Sequence, residues 1–486
     1  MMAVFTKSFV VALLIGLISA PAAAQFARSA PEPDRRERAP APSVSTIPRT
    51  GDPFLGSVTE PEAGTGELPL SIEDAIARGL ERNLGVLLSE EGERGARGAR
   101  WQALGDLLPR LTSRVTATQQ QVNLEAFGFG GFPGMPTVVG PFGVVDARVH
   151  LSQPIVDIEA LASLKAQSAR VEAARFVTSD ARDLVVLVVS TLYLQVATGV
   201  SRVEAARAEV DTATALQRLA TDLKDAGLVA GLDVLRAEVQ LERERQRLLT
   251  VQNDLARARL QLARAIGVPL GRSILTTDTL PYRPLPPTGA DEALQRAFES
   301  RGDYQAAQST LKAVEFERRA ARADAWPSLH LSADYGDIGP SFADSHGTFN
   351  VTVAGRIPIF DGSIQRGRQL QAEAALRRER AHVDDLKGRI EFEVRTALLD
   401  LAASDERVRV AERTRDLAGR QLQQSRDRLA AGVTDNLEVV QSQESLAEAN
   451  ESYLASLLVF NVSKLTLARA MGLADTDYRA FLGATP

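Results

Sequence analysis

Residues 216–241 read LQRLATDLKDAGLVAGLDVLRAEVQL, and this stretch decides the fold. Leucines recur at helical spacing from Leu216 to Leu223, which predicts a helix up to that point. Gly227 permits a left-handed helix end, and Asp233 is placed to cap a helix that returns. The stretch therefore predicts a sharp turn between two helices.

Two long stretches of the chain contain no proline, although the chain has 23 prolines. They run from 155 to 268 and from 359 to 485, and because proline interrupts helix interiors, each can hold long helices. The second stretch has its own break, AGVTDN at 431–436, in which Asp435 is placed to cap the returning helix. Each stretch predicts a helical hairpin whose outgoing arm is about 105 Å long. The predicted outgoing arms are 158–226 and 362–431, and the predicted returning arms are 232–267 and 435–471.

The two halves of the chain match block by block, which indicates an internal duplication. Each half begins with a shorter predicted helix, at 71–108 and at 290–326. Glycines in the first of these weaken the helical prediction there. The matched blocks are EDAI at 73–76 with DEAL at 291–294, LPRL at 108–111 with WPSL at 326–329, QPIVD at 153–157 with IPIFD at 357–361, the turns at Gly227 and Gly432, and RAIGV at 264–268 with RAMGL at 469–473.

Strands are predicted between the short and the long helix of each half. Apolar and polar residues alternate along 145–152, 329–335 and 349–357, and less regularly along 111–124, which is typical of strands with one apolar face. A half-buried soluble hairpin is one interpretation, and a membrane strand facing a wet lumen is the other. Four strands cannot close a barrel in lipid, where open edges are not tolerated, so a membrane barrel would have to be shared among chains.

The N-terminus is typical of an export signal. Lys7 precedes a short apolar core from Phe9 to Ile18, and the small residues Ala22 to Ala24 offer a cleavage site. A membrane anchor is the alternative, but a spanning helix needs about 20 apolar residues. The predicted organisation is a signal peptide at 1–24, a Pro-rich disordered leader at 25–66, a first repeat at 67–275, a linker at 276–289, a second repeat at 290–474 and a C-terminal tail at 475–486.

Composition excludes several classes of function. The chain has no cysteine, which removes disulfides, thiolate metal sites and cysteine nucleophiles. Its net charge of −6 argues against a nucleic-acid partner, and its four histidines have no metal-binding spacing. No catalytic motif and no phosphate-binding glycine loop is present in the sequence. We therefore expect a non-enzyme with no cofactor, metal or catalytic residue.

Over residues 67–474 the chain resembles the TolC-like outer membrane efflux proteins, through the LPRL/WPSL and QPIVD/IPIFD blocks, the GLVA tip at 227–230 and the duplication. The resemblance implies a mainly α-helical fold with a membrane β-barrel. Each chain of a homotrimer would give four strands to a shared 12-stranded barrel in outer membrane lipid, and the helices would form a periplasmic tunnel. It also implies a conduit that serves an inner-membrane pump and a periplasmic adaptor.

The resemblance also assigns residues to two sites. Asp233 matches an acidic gate residue, Glu438 matches an acidic ring at the constriction, and Gln441 stands at the next acidic position. Leu429 and Thr434 stand where the family has tyrosine and basic gate partners. The hairpin tips, which in this family close the tunnel and engage the adaptor, map to Ala226, Gly227, Leu228, Val229 and Ala230, and to Ala431, Gly432, Val433 and Thr434.

Two questions stay open at the level of sequence. Glu438 has a second interpretation as an ordinary solvated helix carboxylate. The alternative function is a periplasmic coiled-coil adaptor or structural spacer, although such adaptors have one helical hairpin where this chain has two. Drugs, metal ions and secreted proteins are all possible cargo.

Overall fold

The computed structural model describes residues 52–59, 66–128, 134, 136–227, 229–278, 282–431, 433 and 436–482. These fall within one compact unit, 48–486. The predicted signal peptide, most of the leader and the tip residues Leu228, Gly432 and Thr434 lie outside the described residues, as does Asp435.

Helices dominate the described residues, as the sequence predicts, and strands form two sheets. The strands are β1 (Leu68–Leu70), β2 (Arg110–Asn123), β3 (Val138–Val156), β4 (Ile274–Thr276), β5 (Ser328–Gly339) and β6 (His346–Arg356). The α-helices are α1 (Ile72–Arg82), α2 (Leu84–Gly105), α3 (Ile158–Asp225), α4 (Gly231–Ile266), α5 (Ala290–Ser300), α6 (Gly302–Ala323), α7 (Ile364–Ala430), α8 (Asn436–Ala470) and α9 (Ala474–Leu482).

The two predicted hairpins are present, each with one long and one short arm. Helices α3 and α7 have 68 and 67 residues, while α4 and α8 have 36 and 35. Gly227 has φ +74°, the left-handed conformation expected after α3. The predicted cap of α4 is wrong, because the N-cap is Ala230 without a side-chain bond. Asp233 lies in the first turn instead and pairs with Arg236 at 3.2 Å.

The short helix of each half is broken in two, where the sequence predicts one continuous helix. The breaks are at Asn83 and Arg301, which both have extended backbone. The Asn83 side chain donates to the carbonyl of Ala265 at 3.2 Å, and Arg301 Nη1 donates to the carbonyl of Ala470 at 3.2 Å. Each break therefore supplies a side-chain hydrogen-bond donor to a carbonyl at the C-terminal end of the returning helix of its own half. Carbonyls at a helix C-terminus have no donor within the helix.

Close helix contact explains part of the glycine content of α1 and α2. A Cβ atom at Gly79 would lie 2.7 Å from Val189 Cγ2, and one at Gly85 would lie 2.3 Å from the Phe54 ring. The helix forms in spite of these glycines because their missing side chains let α3 and the 52–59 segment approach. The remaining helical glycines of this region, Gly92, Gly95, Gly98 and Gly105, meet no atom within 4 Å among the described residues.

The main core lies around the middle of α3. Val185, Val186 and Val189 are fully buried, and α3 packs against α1, α2, α4, α6 and α8. One 18-residue window of α3 has a mean hydropathy of 1.9, enough by length and composition to cross a bilayer, yet 56% of it is buried inside the structure. This window is longer than the six-residue run Leu184–Val189 that stands out in the sequence.

Four strands form one antiparallel sheet in the order β2-β3-β5-β6, and each half contributes an antiparallel pair. A second, parallel pair joins β1 to β4, three residues each. The described residues therefore contain six strands, two more than the four that were predicted, since three-residue strands carry no readable period.

Two segments expected to be leader or tail are packed in place. Residues 53–55 form a 3-10 helix, and Asn83 Nδ2 donates to the Phe54 carbonyl at 2.7 Å. At the other end, Phe481 is buried and the Asp475 amide donates to Asp183 at 2.7 Å. Residues 52–59 and 474–482 thus belong to the packed unit.

Candidate functional site

The end of the first helical hairpin presents small, exposed residues. Ala226, Gly227 and Ala230 are exposed, and the Gly227 amide donates to the Lys224 carbonyl at 2.8 Å. At the second tip, Ala431 and Val433 are exposed. Small side chains at such a turn let two helices from another molecule approach closely.

Glu438 lies in the first turn of α8 and is not an isolated carboxylate. Its Oε1 accepts from Arg428 Nη1 at 3.1 Å and from Ser425 Oγ at 3.4 Å. Ser425 is buried and shares a 2.8 Å hydrogen bond with Ser442. The N-terminal end of the α8 dipole adds a further favourable field for the carboxylate.

Arg428 is the partner of Glu438 and is a residue that the sequence patterns do not single out. The resemblance predicts that Leu429 and Thr434 stand at the partner positions, and neither residue carries a charge. The structure brings in Arg428, one residue earlier on α7, to pair with Glu438. The only indication of this pairing in the sequence is that a basic residue, Arg428, lies close to the second turn.

Gln441 and the tip ends of α4 and α8 line a groove of about 430 Å³. On α4 the groove is lined by an apolar stripe, Leu232, Leu235 and Val239, each more than half exposed, and beside it by Arg236, Gln240 and Arg243. Leu437 and Val440 continue this surface on α8. The spacing on α4 is that of one helix stripe, which ordinarily packs against another helix. Asp233 and Glu438 each form an ion pair within their own hairpin.

A partly buried pair of acids lies farther along the first hairpin. Glu209 of α3 and Glu244 of α4 line a cavity of about 160 Å³. Burial raises the pKa of Glu209 to about 6, Arg247 opposes the shift, and Glu244 adds to it. Gln240 donates to Glu244 at 2.8 Å. Glu209 therefore takes up a proton at a higher pH than an exposed glutamate does.

The four-stranded sheet has two chemically different faces. One face carries aliphatic and aromatic side chains that the described residues leave uncovered. Phe349 is 77% exposed and Leu111 is 68% exposed. The other members of this apolar face that are substantially exposed are Val115, Val149, Tyr335, Val351 and Val353.

The opposite face of the sheet is polar and charged. Arg148 donates from Nε to Asp146 at 2.7 Å and from Nη1 to Asp334 at 2.8 Å. Both free edges of the sheet, β2 and β6, have one strand neighbour each within the part of the chain that the structure describes. The sheet therefore combines an exposed apolar face, a charged face and two edges open to pairing.

No metal centre is built by the described residues. They contain no group of three or more His, Asp or Glu side chains placed to hold an ion. The sites described above consist of ion pairs, packed helices and unpaired sheet edges.

Comparison with known proteins matches this architecture half by half. The family model described as outer membrane efflux protein matches residues 80–268 and 293–473. The alkaline protease secretion protein AprF of Pseudomonas aeruginosa is 23% identical over 314 residues, covering 62% of this chain and 64% of AprF. The toluene efflux pump outer membrane protein TtgC of Pseudomonas putida is 27% identical over 265 residues, covering 51% and 52%.

Among solved structures, the Campylobacter jejuni CmeC outer membrane channel superposes with a TM-score of 0.72. The identity is 14%, and the match covers 88% of this chain and 93% of CmeC. The similarity therefore spans nearly the whole of that fold. By sequence, the chain spans about half to two thirds of the length of the two curated relatives.

Proposed function

The chain belongs to the outer membrane efflux protein family, and on that premise we propose that it is the outer membrane channel of a tripartite efflux or secretion system. It serves as a passive conduit to the exterior, fed by a periplasmic adaptor and an inner-membrane pump. The observation that carries this proposal is the four-stranded sheet, which is apolar and exposed on one face and charged on the other.

The free edges of this sheet support assembly into a homotrimer. Unpaired backbone groups are not tolerated in the hydrocarbon core of a bilayer, so β2 and β6 need partners there. The smallest membrane barrels have about eight strands, so one chain cannot close a barrel by itself. Three chains, each pairing its β2 with the β6 of the next, supply twelve strands and leave no edge.

The long helical hairpins extend this barrel into the periplasm as a tunnel. A helix of 68 residues is about 100 Å long, far longer than a bilayer is thick. The residues at the tips, Ala226 to Ala230 and Ala431 to Thr434, engage the adaptor. Glu438 lies at the constriction beside them, balanced by Arg428.

A periplasmic adaptor or coiled-coil spacer is the less favoured function. Such a protein would not need an exposed apolar sheet face of aromatic and aliphatic residues, which in water would promote association. The names of AprF and TtgC associate one relative with a secreted protease and the other with toluene. These two names do not determine which class of cargo this chain carries.

The assembly is tested by disulfide crosslinking, because the chain has no native cysteine. Thr112 of β2 is replaced by cysteine together with Thr348, Asn350 or Thr352 of β6, one pair at a time. Within one chain β2 and β6 are separated by two strands, about 14 Å, which is too far for a disulfide. We expect one register to give crosslinked dimers and trimers in membranes and nothing larger.

The matched control places cysteines at Thr112 and His150, which are direct partners within one chain. That pair should form an intramolecular disulfide and migrate as a monomer. If no β2–β6 pair gives a trimer while the control pair closes, the shared barrel is refuted. Failure of purified protein to conduct ions across a planar bilayer refutes the channel itself.

A further inference from the structure

The charged face of the sheet contains an arginine within β2, Arg114, that forms no ion pair with a carboxylate among the described residues; Arg356, the last residue of β6, forms none either. The register pairs Arg114 of β2 directly with Arg148 of β3, so both side chains lie on the same face. We infer that Arg114, repeated three times, forms a positive ring in the barrel lumen that favours anionic cargo. The inference rests on the proposed trimeric channel and adds a specificity-determining residue to it.

Arg148 does not contribute to this ring, because its charge is neutralised. It donates to Asp146 at 2.7 Å and to Asp334 at 2.8 Å. Gly336 makes this arrangement possible, since a Cβ atom there would lie 2.7 Å from Arg148 Cγ. The Arg148 side chain therefore passes over Gly336 of β5 and binds both carboxylates of this face, Asp146 and Asp334.

Arg114 lies outside this network. Its side chain is exposed, and no carboxylate among the described residues pairs with it or hydrogen-bonds to it. Its neighbours along the same face of β2 are Thr112 and Thr116, which are neutral. Two like charges face each other across β2 and β3, and only Arg148 has carboxylate partners.

The neighbouring chain of the trimer does not supply the missing carboxylate. In the proposed barrel β2 pairs with β6 of the next chain, and the β6 residues of this face are neutral or basic. They are His346, Thr348, Asn350, Thr352, Ala354 and Arg356. The polar face of the four strands thus carries more arginine than aspartate. Its aspartates are Asp146 and Asp334, and its arginines are Arg110, Arg114, Arg148 and Arg356, of which Arg110 pairs with Asp106 at 3.5 Å.

A ring of unpaired arginine side chains in the barrel lumen has a strong effect on which ions pass. The barrel wall has low dielectric constant, so the field of the guanidinium groups is focused into the lumen. Rings of Arg or Lys are a known way to make a pore favour anions. Glu438 at the periplasmic end is a separate site that is paired with Arg428, so the Arg114 ring is identified by its own substitution and not by the net selectivity of the channel.

The experiment uses single cysteines in a chain that has none. Full-length Arg114→Cys is reconstituted in planar bilayers, and the reversal potential is measured in a salt gradient. The ratio of anion to cation permeability should fall on the order of twofold or more. A cationic methanethiosulfonate should restore the ratio, an anionic one should lower it further, and Arg114→Lys should match the wild type.

Val115→Cys is the matched control, since Val115 is the next residue along β2 and lies on the apolar face. We expect neither reagent to react with it in membranes, and the reversal potential to stay at the wild-type value. If wild-type protein gives no current, the proposed channel fails. If current flows and the Arg114→Cys thiol reacts but the reversal potential does not move, only the positive ring is refuted. Labelling of the Val115→Cys variant with no labelling of the Arg114→Cys variant would reverse the assignment of the faces and also refute it.

Discussion

Arg428 on α7 and Glu438 on α8 are joined across the second hairpin by an ion pair of 3.1 Å between Nη1 and Oε1. The Arg428 side chain is 55% exposed and the Glu438 side chain is 33% exposed. Exposed pairs of this kind contribute about 1 kcal/mol or less to stability. The pair therefore affects the local electric field much more than it affects the fold.

The first prediction is that substitutions of these two residues have opposite effects on ion selectivity. Arg428→Gln leaves the Glu438 carboxylate without its cation, so preference for cations should increase. Glu438→Gln removes the negative charge, so preference for cations should decrease. Reversal potentials in planar bilayers measure both, and the thermal unfolding midpoints should stay close to wild type.

Glu448→Gln is the suitable control for this experiment. Glu448 is exposed on the same helix and has no ion pair within the described residues. Glu451 is less suitable because it pairs with Arg202 at 2.6 Å. Equal reversal potentials for Glu438→Gln and Glu448→Gln would make Glu438 an ordinary surface carboxylate.

The second prediction concerns the first tip. Gly227→Trp should abolish adaptor crosslinking and export while the trimer still assembles. A tryptophan there adds bulk at the docking surface and also strains a backbone that has φ +74°. Site-specific crosslinking to the adaptor and an export assay measure the outcome.

Ala226→Trp separates the two effects, because Ala226 is exposed with φ −78°. It adds the same bulk without left-handed strain. Loss of crosslinking in both variants assigns the effect to bulk, and loss in Gly227→Trp alone assigns it to the turn. Full crosslinking and export in both would remove this tip from the docking surface.

The third prediction is a dependence of stability on pH that comes from Glu209. Its pKa is raised from 4.5 to about 6, so its protonated form is favoured in the folded state. The stabilisation is present below pH 4.5 and is lost as pH rises through about 6. Glu209→Gln keeps the uncharged form, so it should unfold at a higher temperature than wild type at pH 7, with a smaller difference at pH 4.5.

The groups around Glu209 set the sign of this effect. Arg247 attracts the ionised form, while Glu244 and Glu451 repel it, and burial disfavours it further. Glu204→Gln is the matched control, on the same helix and exposed. A midpoint for Glu209→Gln that follows wild type at every pH would show that the carboxylate is ordinary.

The helical hairpins and the paired strands were predictable because they depend on local patterns. Proline is missing from the long helices, and glycine marks the first turn. The alternation of apolar and polar residues predicts which side chains share a face of the sheet, although it does not predict the register between strands. Repetition of the same blocks in both halves strengthened each of these predictions.

The breaks at Asn83 and Arg301 were not predictable in the same way. Each depends on a carbonyl group that is distant in sequence, that of Ala265 or Ala470. The pairing of Arg428 with Glu438 depends on how two helices face each other, which no local period encodes. Contacts of this kind are fixed by packing, so sequence patterns give only the elements that make them.

The fourth prediction concerns Arg301, which is 3% exposed at the break between α5 and α6. It donates to Asp303 at 2.7 Å, to Glu393 at 2.6 Å and to the carbonyl of Ala470. Burial alone would raise the pKa of Asp303, but the hydrogen bonds and charge of Arg301 lower it below its usual value. Arg301→Ala would leave this carboxylate and the end of α8 without their donor.

Removing one partner of a fully buried pair costs about 3–5 kcal/mol. Asp303 and Glu393 are partly exposed, so Arg301→Ala should cost less than that and still lower the unfolding midpoint clearly. Arg296→Ala is the control, because Arg296 forms an exposed pair with Glu292 at 2.7 Å on α5 and should change the midpoint little. Thermal unfolding of the purified proteins in detergent gives the comparison. Arg301→Lys should recover only part of the loss, since an ammonium group cannot reproduce the planar fork that contacts both carboxylates. If Arg301→Ala unfolds at the same temperature as Arg296→Ala, the break at residue 301 is held by the packing of α5 and α6 and not by these hydrogen bonds.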